Sequence, residues 1–142
     1  MKRMWWLPSF SILFILVVAS TVLAQQPQRQ AMAGAEGKAA LTQMVDKGMK
    51  LFMDPKLGTT DMSCNSCHIE MGKAKKDGPM GAKPLAGRTR SFPKFVPMTK
   101  RVVTLDQMTQ FCIVNPMKGT ALPWDSEEIT ALVAYMQTLS GK

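Results

Sequence analysis

Cys64-Asn65-Ser66-Cys67-His68 is the stretch of this 142-residue chain on which the fold turns. Two cysteines two residues apart, followed at once by a histidine, have the spacing that attaches a c-type haem. Two thioethers fix the vinyl edge of the porphyrin. The next residue is thereby held beneath the iron, where a neutral imidazole nitrogen binds as an axial ligand. A redox Cys-x-x-Cys would require a thioredoxin-like βαβ context, and a zinc site two further ligands; the sequence supplies neither. His68 is the only histidine, so no second one is available as the sixth ligand. The expectation is one covalent haem c on Cys64 and Cys67 with His68 on its iron.

Working outward, helices flank this motif on both sides. Leu41, Met44, Val45, Gly48, Leu51 and Phe52 recur at the spacing of one helical face, which predicts a helix over residues 38–52 ended by Asp54-Pro55. Thr104 with Gln107 has the spacing of a capping box and opens a helix with Leu105, Met108, Phe111 and Cys112 on its inner side. Asn115-Pro116 stops it. In the last helix Asp125 is placed to cap, Glu128 to return the capping bond, and Ile129, Leu132, Val133, Met136 and Leu139 form one apolar stripe ending near Gly141.

Between His68 and Val102 the chain is dense in Gly, Pro and Lys and carries no useful periodicity, the mark of a long loop packed on a ligand or serving a function. No strand pattern competes. The expected fold is all-α: a cytochrome c-like domain over residues 38–142, its N- and C-terminal helices packed around the haem. A core this small draws much of its apolar burial from such a cofactor.

The first 24 residues read as an export signal, with Lys2 and Arg3 as a positive head, an apolar core over residues 12–23, and Val22-Leu23-Ala24 as the small-residue cleavage site. Cleavage near Ala24 predicts a periplasmic or otherwise exported domain. The alternative is an uncleaved anchor, since about 20 residues suffice to span a bilayer. Residues 25–37, rich in Gln, Ala and Gly, read as a flexible leader.

The chain is basic, with a formal charge of +8. In an exported protein this points to an acidic redox partner or a membrane surface and excludes nucleic acid. The cations concentrate in residues 73–101, where Lys73, Lys75, Lys76, Lys83, Arg88, Arg90, Lys94, Lys100 and Arg101 face Asp77 alone. That run is either a solvated loop face or a docking surface.

Cys112 is the odd cysteine. From the residues alone it is a buried inert thiol, a link to another chain, a group that reacts with substrate sulfur, or an iron ligand. The usual electron-carrier partner of His is Met. Met80, Met98 and Met117 each follow a proline in irregular sequence and stand as further candidates.

Several stretches resemble the haem domains of the sulfur-oxidising SoxA and thiosulfate dehydrogenase cytochromes. They are Phe92-Pro93-Lys94-Phe95, Val102-Val103-Thr104-Leu105-Asp106-Gln107, Cys112, Leu122-Pro123-Trp124-Asp125-Ser126-Glu127-Glu128 and Ala131-Leu132-Val133-Ala134-Tyr135. With Gly48, Leu51, Phe52 and the haem motif, the resemblance covers nearly all of the chain beyond the leader. It implies that Cys112, on the helix after the Val-x-Thr-Leu segment, is the distal haem ligand, and that the haem is of low potential because a thiolate favours ferric iron.

The departures matter as well. Met108-Thr109-Gln110-Phe111 replaces the family's Arg-Ile-Asn, so a cation expected beside an anionic substrate is missing, and the chain has a single haem motif. Thiosulfate chemistry by this chain alone is therefore not expected. The small heterodimeric His/Cys cytochromes of anammox bacteria are similar in size and ligand set. That likeness implies a second small cytochrome as partner and nitric oxide or carbon monoxide as a gas ligand that displaces Cys112.

Three functions stay open: an electron carrier or haem subunit of a small periplasmic complex, a gas-binding cytochrome, and a sulfur-transfer subunit with Cys112 at the reacting centre. The first demands least of the residues, since it needs only the haem, an exposed edge and a docking patch. An electron-transfer protein is thus expected in preference to a stand-alone enzyme.

Overall fold

The structure, a computed structural model, describes residues 9–69 and 84–141, with side chains described over residues 31–69 and 84–140. The predicted signal over residues 1–24 lies outside the described side chains. Met80 and the lysines of residues 73–83 lie outside the described residues. Among the described residues no helix is long and apolar enough to cross a membrane.

The chain divides into two units, Met1–Ala39 and Ala40–Lys142. Helix α1 (Ser9–Met53) begins in the first. Residues 25–37, read from the sequence as a flexible leader, are helical, and residues 31–39 are exposed. Alanine, glutamine and glutamate have high intrinsic helix propensity, which does not need an apolar face to act.

The second unit holds everything else. After Met53, Asp54 caps a short 3₁₀ turn (Pro55–Leu57) by accepting from the Lys56 N–H at 2.8 Å. A four-residue helix, α2 (Cys64–Cys67), carries the haem motif. Strands β1 (Lys94–Val96) and β2 (Arg101–Val103) pair antiparallel in the register Lys94 with Val103 and Val96 with Arg101. Helix α3 (Leu105–Val114) and helix α4 (Glu127–Thr138) complete the unit.

The fold class is as expected, mostly helical, with one addition. The β1–β2 ribbon falls in the stretch read as a structureless loop, because three-residue strands are too short to reveal a period of two. Its turn, Pro97–Thr99, closes at Lys100 in the left-handed region at φ 53°.

The core gathers Phe52 from α1, Leu105 and Ile113 from α3, and Leu132, Met136 and Leu139 from the C-terminal segment, all buried. Residues 40–53 of α1 lie against α4 at very close range. A Cβ built on Gly48 would fall on the Ala131 carbonyl oxygen and within 2.8 Å of the Tyr135 Cβ. One turn on, Phe52 meets Tyr135 edge to face, 5.3 Å between ring centroids. Gly48→Ala is therefore expected to lower the stability of the haem-loaded protein by about 1–3 kcal/mol through overpacking, despite alanine's better helix propensity. The thermal unfolding midpoint measures this, and an unchanged midpoint would contradict the tight crossing.

Beside that crossing, Lys47 reaches Glu127 and Glu128, each at 2.8 Å. Its hydrogen bonds raise the Lys47 pKa and lower that of Glu128. The link is present at neutral pH and is lost as pH falls through the lowered Glu128 titration; exposure and salt keep its contribution small. Glu128 is thus taken up by Lys47, and the cap expected of Asp125 belongs to Ser126, whose Oγ accepts from the Ile129 N–H at 3.4 Å.

Candidate functional site: a haem cavity

The haem motif folds as a single helical turn. The His68 N–H donates to the Cys64 carbonyl at 3.0 Å, and the turn is capped at its start by the Ser63 N–H donating to Ser66 Oγ at 3.0 Å. Three- and four-residue spacings on a helix share a face. Cys64, Cys67 and His68 accordingly all line one cavity of about 660 Å³. That volume lies within the roughly 300–1,000 Å³ range of cofactor sites.

The opposing chain segment is α3. Leu105, Met108, Thr109, Cys112 and Pro116 recur at helical spacing and all wall the cavity. Phe111, expected on the inner face, is only half-buried and stands outside the wall. The helix is held in place by buried Gln110, whose carboxamide accepts from the Leu122 N–H at 2.9 Å and donates to the Leu122 carbonyl at 2.5 Å. Thr104 opens it as expected, its N–H donating to Gln107 Oε1 at 3.1 Å.

All four residues singled out in the sequence, Cys64, Cys67, His68 and Cys112, thus meet at one cavity. Met98 and Met117 also wall it, Met98 exposed and Met117 buried. The Met117 backbone is clamped by Thr59, whose N–H donates to its carbonyl at 2.9 Å. Sequence reasoning missed the part of the wall supplied by the loop and ribbon, notably Leu85, Arg88, Thr89, Phe92 and Lys94. The only signal for it was the basic run and the Phe92-Pro93-Lys94-Phe95 stretch.

None of the three cysteines is in a disulfide. Burial pushes the Cys64 thiol up to about 12, with further repulsion from Cys112 and then Cys67. Cys112 is pushed up to about 11, again by burial first and then by Cys67. The three sulfurs are therefore within electrostatic reach of one another. In the polypeptide alone Cys64 and Cys112 stay protonated near neutral pH, and a thiolate at Cys112 needs a cation in the cavity, such as a metal ion that deprotonates its ligand.

A haem fits these residues. The walls are overwhelmingly apolar, both attachment thiols stand on one helical face, and an imidazole follows them directly. No aspartate or glutamate lies among the described wall residues.

The SoxA/TsdA, cytochrome c domain model matches residues 47–142. The thiosulfate dehydrogenase of Stutzerimonas stutzeri is 29% identical over 107 residues, covering 71% of this chain and 33% of that protein. That of Allochromatium vinosum is 26% identical over 140 residues, covering 89% and 50%. That of Thiomonas intermedia is 31% identical over 103 residues, covering 68% and 31%. The chain thus spans from 31% to 50% of the length of these relatives. With the Cys64-Cys67-His68 turn and its cavity, the match means that the chain belongs to the SoxA/TsdA cytochrome c domain family and carries covalently bound haem c.

Proposed function

We propose that this chain is an exported, low-potential electron-transfer cytochrome whose haem is ligated by His68 and Cys112, acting as the haem subunit of a small periplasmic complex. The observation that carries this reading is the meeting of Cys112, on α3, with the Cys64-Cys67-His68 turn at one cavity. When bound, the haem supplies a one-electron ferric/ferrous couple.

The residues divide the remaining work. Cys64 and Cys67 hold the vinyl edge, and His68 offers a neutral imidazole. Cys112 gives up its proton and donates as thiolate, which favours the ferric state and lowers the potential. Phe52, Leu105, Met108 and Met136 exclude water. Phe95 and Met98 wall the cavity while remaining 61% and 53% exposed, which marks its mouth as the approach for a redox partner.

An absorption and electron paramagnetic spectrum of the ferric protein tests the ligand set, because thiolate, thioether and open coordination differ plainly there. A thioether spectrum would transfer the role to Met98 or Met117, or to Met80.

The redox partner is proposed to be acidic, and a second small cytochrome is proposed within the complex on the likeness in size and ligand set to the small heterodimeric His/Cys cytochromes. Lys100 and Arg101 are exposed at the ribbon beside the cavity mouth. Lys100→Glu and Arg101→Glu should each slow electron exchange at low salt. The effect should fade as the Debye length shrinks to about 8 Å at physiological ionic strength. Stopped-flow rates that ignore both substitutions and salt would leave these cations as solvated surface.

The name shared by the relatives favours a second reading, a subunit in thiosulfate oxidation. The stretch Met108-Thr109-Gln110-Phe111 carries no cation where the resemblance leads one to expect it, which weighs against turnover by this chain alone. Thiosulfate-dependent reduction of the haem by the purified chain would support this second reading over simple electron carriage.

A further inference from the structure

Two cations wall the haem cavity, and neither is used by the ligand chemistry. Arg88 and Lys94 come from one segment of chain, the described wall residues include no carboxylate, and the only other titratable groups in that wall are Cys64, Cys67, His68 and Cys112. The salt bridges of Lys47 with Glu127 and Glu128 involve neither cation, and neither Arg88 nor Lys94 has an acidic partner among the described residues.

The backbone that carries them is fixed. The Arg88 carbonyl accepts from Ser91 Oγ at 2.7 Å and from the Ser91 N–H at 3.1 Å. The next residue, Thr89, is buried and donates to the Met136 carbonyl on α4 at 3.2 Å, with Ser140 as a further partner. Lys94 is held by β1 opposite Val103. Its ammonium lies 4.2 Å from the Phe92 ring centroid and donates to Ser91 Oγ at 3.2 Å, both neutral partners. Burial, and then the Arg88 charge, lower the Lys94 pKa, so two like charges are held together at an apolar wall. Arg88 is exposed and Lys94 half-buried, so both side chains are free to meet an anion seated in the cavity.

The haem brings one of matching charge. Its vinyl edge is fixed at Cys64 and Cys67, and the other edge of the macrocycle carries two propionate carboxylates. We propose that Arg88 and Lys94 are the anchoring site for the haem propionates, so that the segment before and within β1 positions the cofactor's carboxylate edge as α2 positions its vinyl edge. This rests on the haem-loaded cavity. With haem bound, two positive groups beside two carboxylates would also stabilise the reduced, less positive haem and so tune the potential separately from the axial ligands.

The test measures midpoint potential against pH in purified, haem-loaded protein, with haem-stained denaturing electrophoresis as a separate check that the haem itself is present. A cation within a few ångströms lowers a carboxyl pKa by roughly one to three units. Arg88→Gln and Lys94→Gln should each lower the midpoint near neutral pH and move the propionate inflection of the potential upward by a comparable amount. Arg88→Lys and Lys94→Arg, which keep the charge, should restore most of both. Lys56→Gln, the same charge change on an exposed residue outside the cavity, should move neither. If the glutamine variants accumulate poorly, the charge-keeping variants must still accumulate as wild type; equal failure of both kinds overturns the proposal. So does an inflection that stays in place in both glutamine variants, or one that Lys56→Gln moves as far. Loss of sulfite or thiosulfate binding with the inflection unmoved would assign the pair to a free oxyanion and also overturn it.

Discussion

A chain carrying both Cys64→Ala and Cys67→Ala is expected to retain no haem through denaturing electrophoresis, and each single variant to mature poorly. The α2 turn places both thiols on the cavity side, so each alanine removes one thioether and the pair removes covalent attachment altogether. Only the axial ligands, His68 and the proposed Cys112, would then hold the haem. The consequence reaches the fold, because a cavity of about 660 Å³ sits among the helices of the second unit. Wall residues such as Phe52, Leu105 and Met136 lose their contact partner when it empties. A cofactor that binds only the folded state stabilises it by mass action, and covalent attachment makes that contribution permanent. The double variant should therefore show lower helicity and a lower thermal midpoint by circular dichroism. Wild-type haem that extracts freely into acidified organic solvent would defeat the attachment claim, whatever the variants do.

The helices that frame the site are legible in the sequence because they are amphipathic over several turns. Gly48, Leu51 and Phe52 repeat on one face of α1, and Ile129, Leu132 and Met136 on one face of α4, so periodicity alone orients them toward the core. The haem motif is legible for a different reason: its spacing is dictated by covalent chemistry rather than by packing. What stays hidden is whatever depends on tertiary neighbours. Asp125 and Ser126 are both competent caps, and only the final geometry, with Lys47 holding Glu128, selects Ser126. The ribbon is too short for a pattern, and Arg88 and Lys94 read as members of a basic run, either a solvated face or a docking surface, until both are seen to line the same cavity as α3. Thr89 carries no sequence signal at all. Its burial follows from its bond to the Met136 carbonyl, a residue 47 positions away.

Cys112→Ala and Cys112→Ser are expected to remove a thiolate signature from the ferric spectrum and to open the iron to exogenous ligands such as carbon monoxide or cyanide. The expectation follows from position: Cys112 shares the cavity-facing stripe of α3 with Leu105, Met108 and Thr109, and Gln110 fixes that helix to Leu122. Its thiol, pushed up to about 11 chiefly by burial, does not ionise unaided near neutral pH. Ligation therefore couples loss of the thiol proton to binding of the iron, and the ligated state should weaken only as acid reprotonates the sulfur. Cys112→Met should raise the midpoint potential if the thioether reaches the iron, because a neutral donor replaces an anionic one. The Ala and Ser variants have a second use: if haem reduction by a partner survives while the potential rises, Cys112 tunes an electron carrier. If thiosulfate-dependent reduction by the chain or its complex exists and vanishes in both, Cys112 belongs to the sulfur chemistry instead. Ferric spectra that do not change in either variant would make Cys112 a buried thiol and move the search to Met98 and Met117, which wall the same cavity.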